Sequence, residues 1–277
     1  MSNFVLPPVG FGPGSQPLGE DDTLEYMQMP QDMRTFTLHT PDVDDPSDVA
    51  PALSVLINLS AACDRVARGG AAESFDLTGL DARNRAFIAE TMGEGEVSIK
   101  VQGKPALKIQ ESWFAGVWLV AGHGVDRIDV GQVPPVALER AHLPHRAGEG
   151  SSIKAHDGLA NGPAILTELM DKTASWQRGD APHVVNLTLL PHTESDLVWL
   201  DRAFGEGSVT ILSRGYGNCR ITALALRHLW RVQFYNSTDQ LILDTFEVTH
   251  VPEVALAADV DLSDSAERIS EVIGAIS

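Results

Sequence analysis

Apolar residues at Leu53, Leu56, Ile57 and Ala61 recur at helical spacing, which predicts a helix from about 48 to 68, capped by Ser47 or Asp48 and stopped by Gly69-Gly70. The period then changes. Ser74 to Leu77 alternates as a short strand, and Asp81 caps a second helix reaching about 91. Val97-Ser98-Ile99-Lys100-Val101 alternates apolar and polar with period two, the mark of a half-buried strand. A turn at Gly103-Lys104-Pro105 leads to a strand from Ala106 to Ile109; the apolar run Trp113 to Val120 predicts a central strand, and Ile128 and Val130 add an edge. The same order returns downstream: a helix over 162–177, a strand over 183–190, a helix over 193–203, and strands over 208–212, 219–224, 228–234 and 241–247. Tyr235 to Asp239 supplies a hairpin turn, and Asp261 or Ser263 caps a last helix ending near Ile276.

The recurrence is an internal repeat. Gly93-Glu94-Gly95 and Val97-Ser98-Ile99 return as Gly205-Glu206-Gly207 and Val209-Thr210-Ile211, an offset of 112 (205 − 93). The same offset relates Pro51 to Pro163, Leu77 to Leu189, Ile109 to Ile221 and Trp118 to Trp230. Val133-Pro134 then recurs as Val251-Pro252 at an offset of 118 (252 − 134), so the second copy carries a longer final hairpin. A repeat of this length is a duplicated domain rather than a solenoid unit. The expected fold is α+β: a tandem duplication, each copy helix, strand, helix and then an antiparallel meander, with the helices on one sheet face. The expected organisation is a Pro/Gly-rich leader over 1–47, a first copy over 48–143, a linker over 144–161, and a second copy with a C-terminal helix over 162–277.

Charge narrows the partners. The chain has 38 acidic and 20 basic residues, a net charge of −18. That disfavours nonspecific nucleic-acid binding, which depends on neutralising phosphates, and favours a partner with basic surface. The start lacks the basic and apolar regions of a signal peptide, and no run approaches the ~18 apolar residues of a membrane span. The expectation is a cytoplasmic protein with no membrane insertion.

Candidate chemistry is sparse. Tyr26, Met27, Met29 and Met33 concentrate soft and aromatic side chains in the leader and are candidate partner-binding residues; packing on the protein's own domain is the alternative. Glu94 and Glu206 occupy equivalent turns. If the copies pack about a twofold axis, the two carboxylates could face each other and share a cation or a proton; otherwise each is a local turn residue. Cys219 aligns with Leu107 and Cys63 with Ser175, so both cysteines read as small buried hydrophobes, although Arg214 and Arg220 near Cys219 keep a reactive thiol in view. His142 and His145 form the only close histidine pair, and Pro144 between them prevents clean helical presentation. They read as solvated linker residues, with a transient metal handoff by His142, His145 or Cys219 as the alternative. Gly10 to Ser15 superficially resembles a phosphate loop, but it follows no strand and opens no helix. Trp118 and Trp230 read as core residues. No cofactor and no catalytic constellation are expected.

Taken together, several segments resemble a known family. They are Gly12-Pro13-Gly14-Ser15-Gln16-Pro17 with Leu24-Glu25-Tyr26-Met27 and Met29-Pro30-Gln31-Asp32-Met33; the two Gly-Glu-Gly strands; Gln110-Glu111-Ser112-Trp113-Phe114-Ala115-Gly116-Val117-Trp118; and Arg214-Gly215-Tyr216-Gly217-Asn218-Cys219-Arg220 through Arg227-His228-Leu229-Trp230. This set is similar to the HupH/HyaF-type hydrogenase expression and formation proteins. The resemblance implies an accessory, non-enzymatic role in maturing a membrane-bound nickel–iron uptake hydrogenase. It implies a chaperone-like hold on the iron–sulfur small subunit precursor, with other hydrogenase accessory proteins as further partners. The alternative it leaves open is a nickel or iron carrier. It brings no catalytic residues to carry over.

Overall fold

The helical spacing at the start of the first copy becomes α1 (Ala50–Ala67), preceded by a 3-10 turn at Pro46–Val49. A computed structural model of the chain describes residues 41, 43, 45–215 and 217–276. The first copy continues as β1 (Glu73–Asp76), α2 (Ala82–Met92), β2 (Val97–Val101), β3 (Leu107–Glu111), β4 (Val117–Gly122), β5 (Val125–Val130) and α3 (Pro135–Arg140). The second copy runs α4 (Gly162–Ser175), β6 (His183–Asn186), α5 (Glu194–Phe204), β7 (Val209–Ser213), β8 (Asn218–Ala223), β9 (Leu229–Tyr235) and β10 (Leu241–Val248), and α6 (Asp259–Ile276) closes the chain. The repeat reaches the caps. Asp81 accepts the Asn84 N–H ahead of α2, and at the same offset Thr193 accepts the Asp196 N–H ahead of α5, where Asp196 returns the bond as a capping box.

The two meanders do not form two sheets. Among the described residues, ten strands make one antiparallel sheet in the order β1-β5-β4-β3-β2-β7-β8-β9-β10-β6. Each copy alone would leave its first meander strand as an open edge, and pairing β2 with β7 removes both edges at once. In that pair Ile99 stands opposite Ile211, its own counterpart 112 residues on (211 − 99). Antiparallel pairing of equivalent residues puts a pseudo-twofold axis through this point.

Alternation then fixes the faces. Val117, Ile128 and Val130 point to one side and form a core with α1, α2 and α6. Their counterparts Leu229, Phe246 and Val248 point to the same side and pack with α4 and α5. The five longer helices thus share one face, as two banks over the two ends of the sheet. On the opposite face Ile99, Ile109, Trp118, Ile211, Ile221 and Trp230 form a central core, closed by α3 and the chain around Val251 and Ala255. Both tryptophans are buried, at 0% and 1% exposure. Helix α6 breaks the symmetry: it crosses to the first copy and buries Leu262 and Ile269 there. The helical run Pro46–Ala67 is long and apolar enough to cross a membrane by length and composition, yet its apolar face, with Leu56, Leu59 and Cys63, lies in this core.

Three expectations need correction. Trp113 to Gly116 is a loop, because Ser112 Oγ caps the Phe114 N–H and Gly116 takes φ +77°. Strand β6 stops at Asn186, whose carbonyl turns back to accept the Leu189 and Leu190 N–H groups. Residues 144–161 are not a free linker: Arg146 pairs with Glu206 through the backbone, and Ile153 is buried in the α4–α5 core.

Candidate functional site

Between the helix banks no described element covers the sheet centre. Period-two alternation sends Ser98 and Lys100 of β2, Lys108 and Gln110 of β3, Thr210 and Leu212 of β7, and Arg220 and Thr222 of β8 to the helix side. No helix core includes them. Lys100, Lys108 and Arg220 are exposed and make no ion pair among the described residues, and Leu212 is 40% exposed beside them. Lys100 stands directly across from Lys108. Like charges in that position are destabilising, by roughly 0.2–1 kcal/mol, and no carboxylate of these four strands shares the face. The net charge of −18 therefore misdescribes this surface: the sheet centre is cationic.

Two shallow cavities lie at the hairpin ends of this floor and are related by the pseudo-twofold. One of about 380 Å³ is lined by Lys100, Gln102, Lys108 and Ala121. The other, about 480 Å³, is lined by Leu212, Arg214, Arg220 and Tyr235. Each hairpin starts where the opposite copy's Gly-Glu-Gly turn ends. The first glycine of each turn, Gly93 or Gly205, adopts a positive φ (+57° and +67°) to stop a helix. The second, Gly95 or Gly207, has no room for a side chain because a backbone carbonyl presses on it.

The turns do not meet. Val97 pairs with Ser213 and Val101 with Val209, so Glu94 and Glu206 lie beyond opposite ends of the strand pair. That is about ten residue steps, roughly 30 Å at ~3.3 Å per residue. The very symmetry that makes them equivalent holds them apart, and they share neither cation nor proton. Glu94 is exposed, and the Glu206 backbone is occupied by His145 and Arg146.

The remaining candidates are likewise scattered. Cys219 is buried in the central core, on the face opposite the cationic floor, and burial, with Glu247 adding to it, pushes its thiol up to about 11. Cys63 is buried under α6, and burial pushes its thiol up to about 12. Thiolates are the metal-binding and nucleophilic form, so neither cysteine is poised for such chemistry. His145 is exposed, whereas His142 corrects the expectation of a solvated histidine. Its Nδ1 lies 3.0 Å from the Leu224 carbonyl, its ring stands edge-on to Trp230 at 5.1 Å, and burial holds its pKa down at about 4. No group of three or more His, Cys, Asp or Glu residues converges to hold a metal ion among the described residues. Tyr26, Met27, Met29 and Met33 lie outside the described residues.

The buried Glu111 was not singled out from the sequence. It sits at the end of β3 with Oε1 facing the Gly116 N–H at 3.3 Å, and burial pushes its carboxyl up to about 7, with Glu96 and Asp261 acting in the same direction. The floor cations were also missed, although the alternation through Lys100 and Lys108 was visible; what the sequence lacked was the knowledge that the described helices pack to either side of them.

The family model for the HupH hydrogenase expression protein, C-terminal conserved region, matches residues 49–143 and again 159–276. The chain belongs to the HupH hydrogenase expression protein family. The double match follows the duplication seen in the sheet. This HupH-family chain is 63% identical over 276 residues to the hydrogenase expression/formation protein HupH of Rhodobacter capsulatus, covering 100% of this chain and 99% of the relative. It is 43% identical to the hydrogenase expression/formation protein HoxQ of Cupriavidus necator, over 99% of this chain and 98% of that one. It is 34% identical to the hydrogenase-1 operon protein HyaF of Escherichia coli K12, over 94% and 93%.

Proposed function

We propose that this protein is an accessory factor in the maturation of a membrane-bound nickel–iron uptake hydrogenase, and that it holds the immature iron–sulfur small subunit precursor as a chaperone does. Its relatives carry the names of hydrogenase expression and formation proteins over essentially their whole length. The observation that carries the binding part of the reading is the sheet centre, which no described element covers. Lys100 and Lys108 oppose each other with no ion-pair partner among the described residues, on a face flanked by two helix banks. A face that retains such repulsion gains most from a client segment bearing carboxylates, which neutralises it on docking. The leader residues Tyr26, Met27, Met29 and Met33 add soft apolar contacts to the same client. Other hydrogenase accessory proteins are further partners.

Calorimetric titration of the purified small subunit precursor into the full chain, and into a chain lacking residues 1–45, tests this. The expected result is saturable binding to the full chain and weaker binding to the shortened one. Absence of binding to either defeats the reading.

A further inference from the structure

The two copies are similar enough for their differences to be informative, and the differences gather at one corner of the second copy. Gly116 and His228 are equivalent positions at the 112-residue offset (228 − 116), and both have a left-handed backbone, φ +77° and +65°. Their carbonyls accept equivalent bonds, from the Gly131 and Thr249 N–H groups, each at 2.9 Å. Glycine takes this conformation freely, and a residue with a Cβ does not. In the first copy the space beyond this position is filled: a Cβ at Gly116 would overlap Leu262 of α6. Helix α6 packs on the first copy only, and in the second the His228 side chain lines a cavity of about 440 Å³.

The tryptophans diverge in the same place. Trp118 donates its indole N–H to the Gly131 carbonyl at 2.8 Å. Its counterpart Trp230, 1% exposed, has no partner for the same group. Trp176 Nε1 is also buried and unpartnered, and its ring centre lies 4.5 Å from that of His228. Among the described residues these are the two buried side-chain polar atoms without a hydrogen bond; Trp176 stands against His228 and Trp230 against His142, and those two imidazole centres are 6.2 Å apart. Buried donors are rarely left unpaired in the absence of a ligand or water.

The cavity wall supplies the matching charge. It includes Arg227, His228 and His250, with Leu138 and Leu143 as apolar wall. Arg227 is exposed and makes no ion pair among the described residues. Among the described residues the wall thus presents a guanidinium and two imidazoles, with the two unpartnered indoles behind it. Glu139 is the one carboxylate in the lining among the described residues, and it is exposed.

We propose that this corner binds a small oxyanion, a carboxylate or phosphate group, between Arg227, His228 and His250, with the Trp176 and Trp230 indoles packed behind the His228 and His142 imidazoles as reporters of its occupancy. Burial, then Arg227 and His250, hold His228 below the ordinary imidazole range; burial, then Arg178, do the same to His250. An anion seated there relieves both. The site is independent of the hydrogenase client and stands or falls separately from it.

The test is titration of the ¹⁵N-labelled full chain with sodium phosphate and, separately, with sodium acetate at constant ionic strength, following the indole N–H resonances of the five tryptophans. Trp176→Phe and Trp230→Phe assign the two signals. The expected result is a saturable shift of those two resonances and none of Trp118, with affinity at least tenfold weaker in Arg227→Gln and His228→Gly. Saturation by acetate alone assigns a carboxylate, and by phosphate alone a phosphate. His228→Gly installs the residue that the first copy uses in the same backbone conformation, so a folded variant is secured. Shifts that never saturate, that include Trp118 equally, or that survive unchanged in both variants overturn the proposal.

Discussion

Gly116 and His228 make a mirror-image stability experiment. Gly116→Ala places a Cβ where φ is +77° and where Leu262 of α6 already lies, fully buried. The left-handed backbone costs a residue with a Cβ about 1–2 kcal/mol, and overpacking against a buried leucine adds roughly 1–3 kcal/mol. The expected destabilisation is therefore about 2–5 kcal/mol, a fall in Tm of roughly 5–15 °C for a chain of this size. His228→Gly works in the opposite sense. It relieves the same ~1–2 kcal/mol of backbone strain and gives up the ring contacts with Trp176 and His142, worth roughly 0.5–1.5 kcal/mol. Its net effect is within about 1 kcal/mol of zero. Urea denaturation followed by tryptophan fluorescence measures both. A double-mutant cycle separates the terms: in a Leu262→Ala background the overlap is gone, and Gly116→Ala should then cost only the ~1–2 kcal/mol of backbone strain. The reasoning is refuted if Gly116→Ala is as stable as the wild type, if His228→Gly loses as much as Gly116→Ala, or if Leu262→Ala leaves the cost of Gly116→Ala unchanged.

Glu111→Gln tests the buried carboxyl. With a folded pKa of about 7 against 4.5, the native state holds a proton that the unfolded state has released between those values. The stabilisation that this proton provides is present below pH 4.5 and is lost as pH rises through 7, about 3 kcal/mol in all. The glutamine variant should be the more stable protein at pH 8 and show a flatter stability profile from pH 5 to 8; parallel profiles would contradict the assignment. His142 acts in the other direction. Its folded pKa near 4 lies below the ordinary imidazole value of 6.5, so its contribution is intact above 6.5 and lost as pH falls toward 4; His142→Phe should remove that part of the acid sensitivity in a pH series of denaturation curves. Cys63 and Cys219 are both buried and should be silent to a thiol reagent such as DTNB at pH 8 in the folded protein, with both reacting in denaturant; a fast-reacting native thiol would show that one core is open.

Much of the fold was legible in the residues, and the reasons it stopped being legible are specific. Asp81 and Thr193 announced two helix starts because a cap is a local device. The alternation through Val97 to Val101 announced a strand for the same reason. The apolar run after Trp113 misled, because hydrophobicity alone does not separate a strand from a buried loop and Ser112 and Gly116 turn the chain there. Sheet order was invisible, since the choice of β7 as the partner of β2 is made between segments more than a hundred residues apart. That choice decided the candidate sites. It separated Glu94 from Glu206, brought Lys100 and Arg220 onto one floor, and left the equivalence of the copies intact. His142 was misread as solvated because the groups that bury it, Leu224 and Trp230, belong to the other copy.

The central claim is that the two copies jointly build a cationic sheet face on which a hydrogenase subunit precursor docks. The most direct measurement is the affinity of the purified small subunit precursor for the full chain and for the full chain carrying Lys100→Glu, Lys108→Glu and Arg220→Glu together, all three exposed and outside the cores. The account predicts an unchanged Tm, at least tenfold weaker binding, and loss of most of the salt dependence seen with the wild type. Equal affinity and an equal salt slope in a folded triple variant would contradict it.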